Sequence, residues 1–235
     1  MPELVTLGQK TYYNDYCFAD PWGPKPDVLL IQHGYGRNAN FWYPWVPRIG
    51  TKYRLIIRDL RGHGLSSAPS RDTYDWSLET MLAEIIDMLD QLKIEKVHFL
   101  GESASGMIGI ALAAKYPHRL HSLITCSTPS HLPPGFTKFA AFGYKDWPEC
   151  VRTLGSEGWA RKLASTAGTG LRAGEHEDEK AYLAWWISEI GKSSTYGLEQ
   201  FAVFAGSMDS RPFLKDVKVP TLILAPTKSP AASIE

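Results

Sequence analysis

The stretch Leu100-Gly101-Glu102-Ser103-Ala104-Ser105-Gly106 constrains this chain more than any other. An apolar run, Val97-His98-Phe99-Leu100, leads into it, and a small-residue apolar stretch, Met107 to Ala114, leads away. That succession reads as a buried strand, an abrupt turn and a buried helix, with Ser103 at the apex. A serine at such a bend leaves ordinary φ/ψ space. Its neighbours two before and two or three after must be small, so that strand and helix can nearly touch. Gly101, Ser105 and Gly106 meet that demand: the layout is G-x-S-x-G with Ser105 in place of the second glycine and Gly106 following. The bend lifts the Ser103 hydroxyl clear of the sheet. It also leaves the Ala104 N–H at a helix start, aimed at whatever binds the serine, where it can stabilise a developing oxyanion. The bland alternative is a strand–turn–helix with an incidental serine.

Composition narrows the setting. At 235 residues the chain can bury a large core as one domain with an inserted segment. Its 25 basic and 25 acidic residues cancel, which argues against nucleic acid or an anionic membrane surface as partner. No apolar run approaches the length needed to span a bilayer, and Met1-Pro2-Glu3-Leu4 has neither the basic start nor the apolar centre of a signal peptide. Cys17, Cys126 and Cys150 are odd in number and lack metal-ligand spacing, as expected for free thiols in a cytoplasmic protein without a metal or cofactor.

In chain order, Leu4 to Phe18 reads as an antiparallel hairpin broken at Asn14-Asp15. Val28-Leu29-Leu30-Ile31-Gln32 and Arg54-Leu55-Ile56-Ile57-Arg58 are continuous apolar runs, the signature of strands covered on both faces. Leu78, Leu82, Ile85, Leu89 and Leu92 recur every three or four residues and predict an amphipathic helix. Leu120 to Thr125 is a further strand. From Pro129 to about Arg211 the strand grammar stops; Glu177 to Ile190 is the clearest helix, and aromatic residues gather. Val217 to Ala225 restores the strand pattern. Alternation of this kind predicts a mostly parallel sheet with helices on both faces and an inserted helical cap. The expected division is a core of residues 1–128 and 212–235 and a cap of residues 129–211.

On four ordered motifs the chain resembles the α/β-hydrolase superfamily over essentially its whole length. They are His33-Gly34-Tyr35-Gly36, the loop Asp59-Leu60-Arg61-Gly62-His63-Gly64-Leu65-Ser66, the bend at Ser103, and Val219-Pro220-Thr221-Leu222-Ile223-Leu224 beyond the helical segment. The resemblance implies Ser103 as nucleophile and an oxyanion hole of the Ala104 N–H with one from the Gly34-Tyr35 loop. It also implies a small ester or lactone as substrate, cleaved through an acyl-enzyme on Ser103, and the aromatic residues of the lid favour an apolar or aromatic one. Trp42, His131 and Trp185 are the candidates for lining that pocket. The bend with Cys126-Ser127-Thr128-Pro129 is most similar to capped esterases and lactonases.

The family's chemistry also needs a histidine base and an orienting carboxylate after the nucleophile. Neither stands in its usual place: Ala225-Pro226-Thr227-Lys228 and Cys126-Ser127-Thr128 contain no carboxylate. His98 reads as a core histidine, His33 and His63 as loop-shaping residues, and His118 as surface. His121, His131 and His176 remain, and His131 is best placed of the three. Ser229-Pro230 is a helix-start signature close to the last residue. The expectation is therefore a shortened form of a longer hydrolase, with little turnover by itself. A non-catalytic ligand-binding protein on the same scaffold is the other reading.

Overall fold

The computed structural model describes residues 3–166 and 178–227. Seven strands form one sheet in the order β1-β2-β4-β3-β5-β6-β7. They are β1 (Glu3–Thr6), β2 (Gln9–Tyr16), β3 (Val28–Gln32), β4 (Arg54–Arg58), β5 (Val97–Glu102), β6 (Leu120–Cys126) and β7 (Thr221–Leu224). The first two run antiparallel to their neighbours; β4, β3, β5, β6 and β7 are mutually parallel.

The hairpin turns at Leu7-Gly8, not at Asn14-Asp15. Leu7 and Gly8 carry φ of 47° and 77°, the two positive angles a tight hairpin turn requires. Asn14 and Asp15 instead continue β2 and pair with Ile57 and Ile56 of β4. Their polarity belongs to the less buried last residues of β2, which still pair with β4, rather than to a turn.

Alternation along the strands sorts the core into two layers. Leu30, Ile56, Val97 and Phe99 face one side, where α2 (Leu78–Gln91) and α3 (Ala104–Lys115) bury Met81, Ile85, Met88, Met107, Ile108 and Leu112. Leu29, Ile31, Leu55, Ile57 and Leu100 face the other, covered by Ala39, Trp42 and the short α1 (Val46–Ile49). The predicted amphipathic helix is α2, started by Ser77, whose side chain accepts the Thr80 N–H.

Among the described residues four α-helices stand between β6 and β7: α4 (Pro134–Ala140), α5 (Trp147–Ala164), α6 (Glu179–Gly191) and α7 (Thr195–Ser207). A backbone approach ties them to the sheet's loops. A Cβ at Gly62 would lie 2.6 Å from the Gly197 Cα, so the loop after β4 and the first turn of α7 touch without side chains between them. Among the described residues β7 lies at one edge of the sheet and β1 at the other. Leu222, Ile223 and Leu224 are 53%, 70% and 41% exposed, so β7 lacks the cover its apolar sequence suggests.

Candidate active site

Ser103 sits at φ 53°, ψ −120°, outside the regions open to ordinary residues, as the first residue flanking α3. A conformation of this kind costs about 1–3 kcal/mol and persists only where the surroundings fix it. Three contacts do so here. The Ser103 N–H donates to the Cys126 carbonyl of β6 at 2.9 Å. Gly101 lies so close to the returning chain that a Cβ there would be 2.4 Å from the Ser105 carbonyl oxygen. Ser105, which replaces the expected glycine, is buried; its hydroxyl donates to the His33 carbonyl at 2.6 Å and accepts from Gln32 Nε2 at 3.1 Å. The substitution therefore fastens the bend to the loop that follows β3.

That loop meets the serine directly. A Cβ on Gly34 would stand 3.1 Å from the Ser103 Cβ. The Gly34 peptide groups are held on both sides. Its N–H donates to Glu102 Oε2 at 3.3 Å, and its carbonyl lies 2.8 Å from His33 Nδ1. The Leu60 N–H donates to His33 Nε2 at 3.0 Å, so that nitrogen is the acceptor and the proton sits on Nδ1, which donates to the Gly34 carbonyl. Burial, with His63 beside it, lowers the His33 pKa well below the usual histidine range. His33 is accordingly neutral, and its 3.9 Å approach to Asp59 is not an ion pair.

A trans peptide points its N–H opposite to its C=O. With the Gly34 carbonyl turned into His33, the Tyr35 N–H points away from it. Among the described residues neither this N–H nor that of Ala104, an unpaired donor in the first turn of α3, has a hydrogen-bond acceptor. The Gly34 N–H is already taken. The loop thus offers Tyr35 rather than Gly34 as its free donor.

The floor beneath is buried and hydrogen-bonded. Asp59 accepts from the Ala39 and Leu65 N–H groups at 2.6 and 2.8 Å, and burial pushes its carboxyl up to about 6. His63 is buried against Tyr35 and Phe201, and desolvation brings it down to about 4. The Tyr35 ring packs on Trp147 and Trp159 of α5, with centroids 4.3 and 5.1 Å away, while its hydroxyl donates to the Leu198 carbonyl of α7 at 3.1 Å. Asn38 Nδ2 donates to the Glu189 carbonyl and carboxylate of α6, both at 3.0 Å. The helical insertion is bolted to the loop that carries the Tyr35 N–H.

The sequence candidates divide. Ser103, Ala104, Gly34 and Tyr35 come together at one place. Trp185 of α6 packs on Phe41 and Tyr43, with centroids 5.2 and 5.6 Å away, and Phe41 carries the Arg37 guanidinium over its ring at 5.4 Å. Trp42 is only 6% exposed and belongs to the core layer with Leu29 and Ile57. His131 pairs with Asp209 through the backbone, and its Nδ1 lies 3.3 Å from Ser130 Oγ. His98 is half-buried rather than fully interior, bonded through Nδ1 to Ser122 Oγ at 2.7 Å. His118 and His121 are exposed, and His176 lies outside the described residues. Among the described residues no hydrogen bond joins Ser103 Oγ to an imidazole.

Two features went unread in the sequence. One is the role of Ser105. The other is the ion pair of Arg37 Nε with Glu102 Oε1 at 3.2 Å, whose only local sign is a carboxylate next to the serine.

The sequence matches 3-oxoadipate enol-lactonase 2 of Acinetobacter baylyi at 24% identity over 208 residues, 88% of this chain and 73% of that enzyme. It matches the pimeloyl-[acyl-carrier protein] methyl ester esterase of Aeromonas hydrophila subsp. hydrophila at 27% identity over 217 residues, 86% of this chain and 76% of the esterase. Among solved structures, the enol-lactonase from Burkholderia xenovorans LB400 superposes with a TM-score of 0.78 at 25% identity, covering 94% of this chain and 80% of that one. These relatives are ester and lactone hydrolases. With the family model of the alpha/beta hydrolase fold matching residues 27–233, the chain belongs to that family.

Proposed function

We propose that Ser103 is the nucleophile of a carboxylic ester or lactone hydrolase. The carrying observation is the strained Ser103 backbone beside two hydrogen-bond donors without acceptors, the Ala104 and Tyr35 N–H groups. In this reading the Ser103 oxygen attacks the substrate carbonyl carbon. The carbonyl oxygen becomes an oxyanion held by the two amides. As it collapses, the C–O bond of the ester breaks and the leaving oxygen takes up, through solvent, the proton lost by Ser103. That oxygen becomes a free alcohol from an ester, or the hydroxyl end of the opened acyl chain from a lactone. Water then hydrolyses the acyl-serine to the acid and restores the hydroxyl. The buried Asp59, His33 and His63 brace the loop and take no proton from the serine. Helices α4 to α7 act as the lid, and Arg37, Phe41 and Trp185 form one wall of the pocket under it. The aromatic wall suits a substrate with an apolar body. Three free thiols suit a cytoplasmic setting.

The test is acylation under single-turnover conditions. Incubated with p-nitrophenyl butyrate, the chain gains a butyryl mass on the peptide bearing Ser103, and Ser103→Ala does not. Absence of that adduct, or its appearance elsewhere, refutes the assignment and favours a ligand-binding protein on the same scaffold.

A further inference from the structure

The Glu102 carboxylate is placed where it should do harm. It belongs to the residue next to Ser103, is largely buried, and reaches the loop that approaches the serine at Gly34. A bare negative charge there would oppose an oxyanion forming a few ångströms away. Two contacts change its effect. One oxygen accepts the Gly34 N–H at 3.3 Å, and the other lies 3.2 Å from the Arg37 guanidinium, which is itself 41% exposed and laid over Phe41.

Resting on the assignment of Ser103 above, we propose that Glu102 and Arg37 are positioning residues of the oxyanion site. Glu102 pins the Gly34 N–H and thereby fixes the Gly34–Tyr35 peptide with its N–H turned towards the serine. Arg37 neutralises the carboxylate that does the pinning. His33 restrains the same peptide from its carbonyl side, so loss of Glu102 frees one end of a two-point clamp. The Gly34 N–H, released, would compete with Tyr35 as donor in the wrong place. Arg37 also links the clamp to the pocket wall through Phe41 and, beyond it, Trp185 of α6.

The proposal separates a geometric role from an electrostatic one, and substitutions separate them in turn. Glu102→Ala removes the acceptor and the charge together. Glu102→Gln keeps an acceptor for the Gly34 N–H without the charge. Arg37→Gln leaves the charge uncompensated. The assay is single-turnover acylation of Ser103 by p-nitrophenyl butyrate, resolved into the acylation rate constant and the ester's dissociation constant. Circular dichroism confirms the fold of each variant.

Glu102→Ala is expected to slow acylation by about 100-fold, the scale of a misplaced catalytic contact, with the dissociation constant within about twofold. Glu102→Gln is expected to retain acylation within about tenfold of the unaltered chain. Arg37→Gln is expected to be slower than Arg37→Gln combined with Glu102→Gln, because the second change removes the uncompensated charge. A merely structural pair would show the opposite order, each change adding damage. Folded Glu102→Ala acylating at the unaltered rate, Glu102→Gln as slow as Glu102→Ala, or a double variant slower than Arg37→Gln, overturns the proposal. If the unaltered chain acylates no faster than Ser103→Ala, the nucleophile assignment falls and the clamp with it. If it acylates at Ser103 and the variants match it, only the clamp falls.

Discussion

Replacing Gly101 with alanine places one methyl group into the tightest contact of the bend. Its carbon would stand 2.4 Å from the Ser105 carbonyl oxygen, 2.5 Å from the Ser105 carbonyl carbon and 2.6 Å from the Gly106 nitrogen. All three are backbone atoms, so no side chain can swing aside. Ordinary contact begins near 3.4 Å, which requires β5 and α3 to part by 3.4 − 2.4, about 1 Å. Overpacking of this kind costs about 1–3 kcal/mol. The same displacement moves the Ser103 hydroxyl relative to Ala104 and Tyr35, and a shift of about 1 Å costs about 100-fold in rate. Urea unfolding reads the first effect as a lowered midpoint at constant slope, and single-turnover acylation reads the second. Gly206→Ala is the matched control. It lies in α7 with nothing within 4 Å of the added carbon, and it should stabilise the chain by about 0.5–1 kcal/mol. A Gly101→Ala variant as stable as the unaltered chain and acylated at the same rate would refute the account of the bend.

Further outcomes follow from the buried polar groups. Glu84 is fully buried and accepts from Arg61 Nε at 2.8 Å and Arg58 Nη2 at 3.0 Å, so Glu84→Ala strands two buried cations and should cost about 3–5 kcal/mol in urea unfolding. Ser105→Ala leaves the His33 carbonyl and Gln32 amide without their partner and should cost about 1–3 kcal/mol by the same measurement. The pH dependence has two opposed parts. His63, neutral in the fold with its pKa brought from 6.5 down to about 4, contributes stability that is present above pH 6.5 and lost as pH falls to 4. At about 1.4 kcal/mol per unit the loss is about 3 kcal/mol. Asp59, raised from 3.8 to about 6, favours its protonated form in the fold, so it adds stability over nearly the same descent and offsets the loss. Asp59→Asn should therefore lose stability between pH 6 and 4 more steeply than the unaltered chain. Parallel pH curves for the two would contradict the Asp59 assignment.

What was legible in the sequence was local. The bend could be read because its demand for small residues falls on positions 101, 105 and 106, within one turn of Ser103. The strands β3, β4 and β5 could be read because burial on both faces makes them continuous apolar runs. The errors arose where polarity had a non-local cause. Asn14-Asp15 sits in the less buried last residues of a strand, and the true turn at Leu7-Gly8 announces itself only through one glycine. Trp42, an aromatic just past the His33-Gly36 loop, is a pocket candidate by proximity in sequence, and its side chain lies in the buried layer with Leu29 and Ile57. Glu102 meets Gly34 and Arg37 across a separation of more than sixty residues, which no spacing rule records. Ser105 looked like an imperfection in a motif, whereas its hydroxyl joins two strands' loops.

A crystal structure of the chain after reaction with a fluorophosphonate tests the central claim most directly, since the phosphoryl group stands in for the tetrahedral oxyanion. The account predicts phosphorus bonded to Ser103 Oγ and the phosphoryl oxygen about 2.7–3.1 Å from both the Ala104 and Tyr35 nitrogens. A bound phosphoryl oxygen held instead by the Gly34 N–H, or a serine that stays unmodified while another residue reacts, would contradict it.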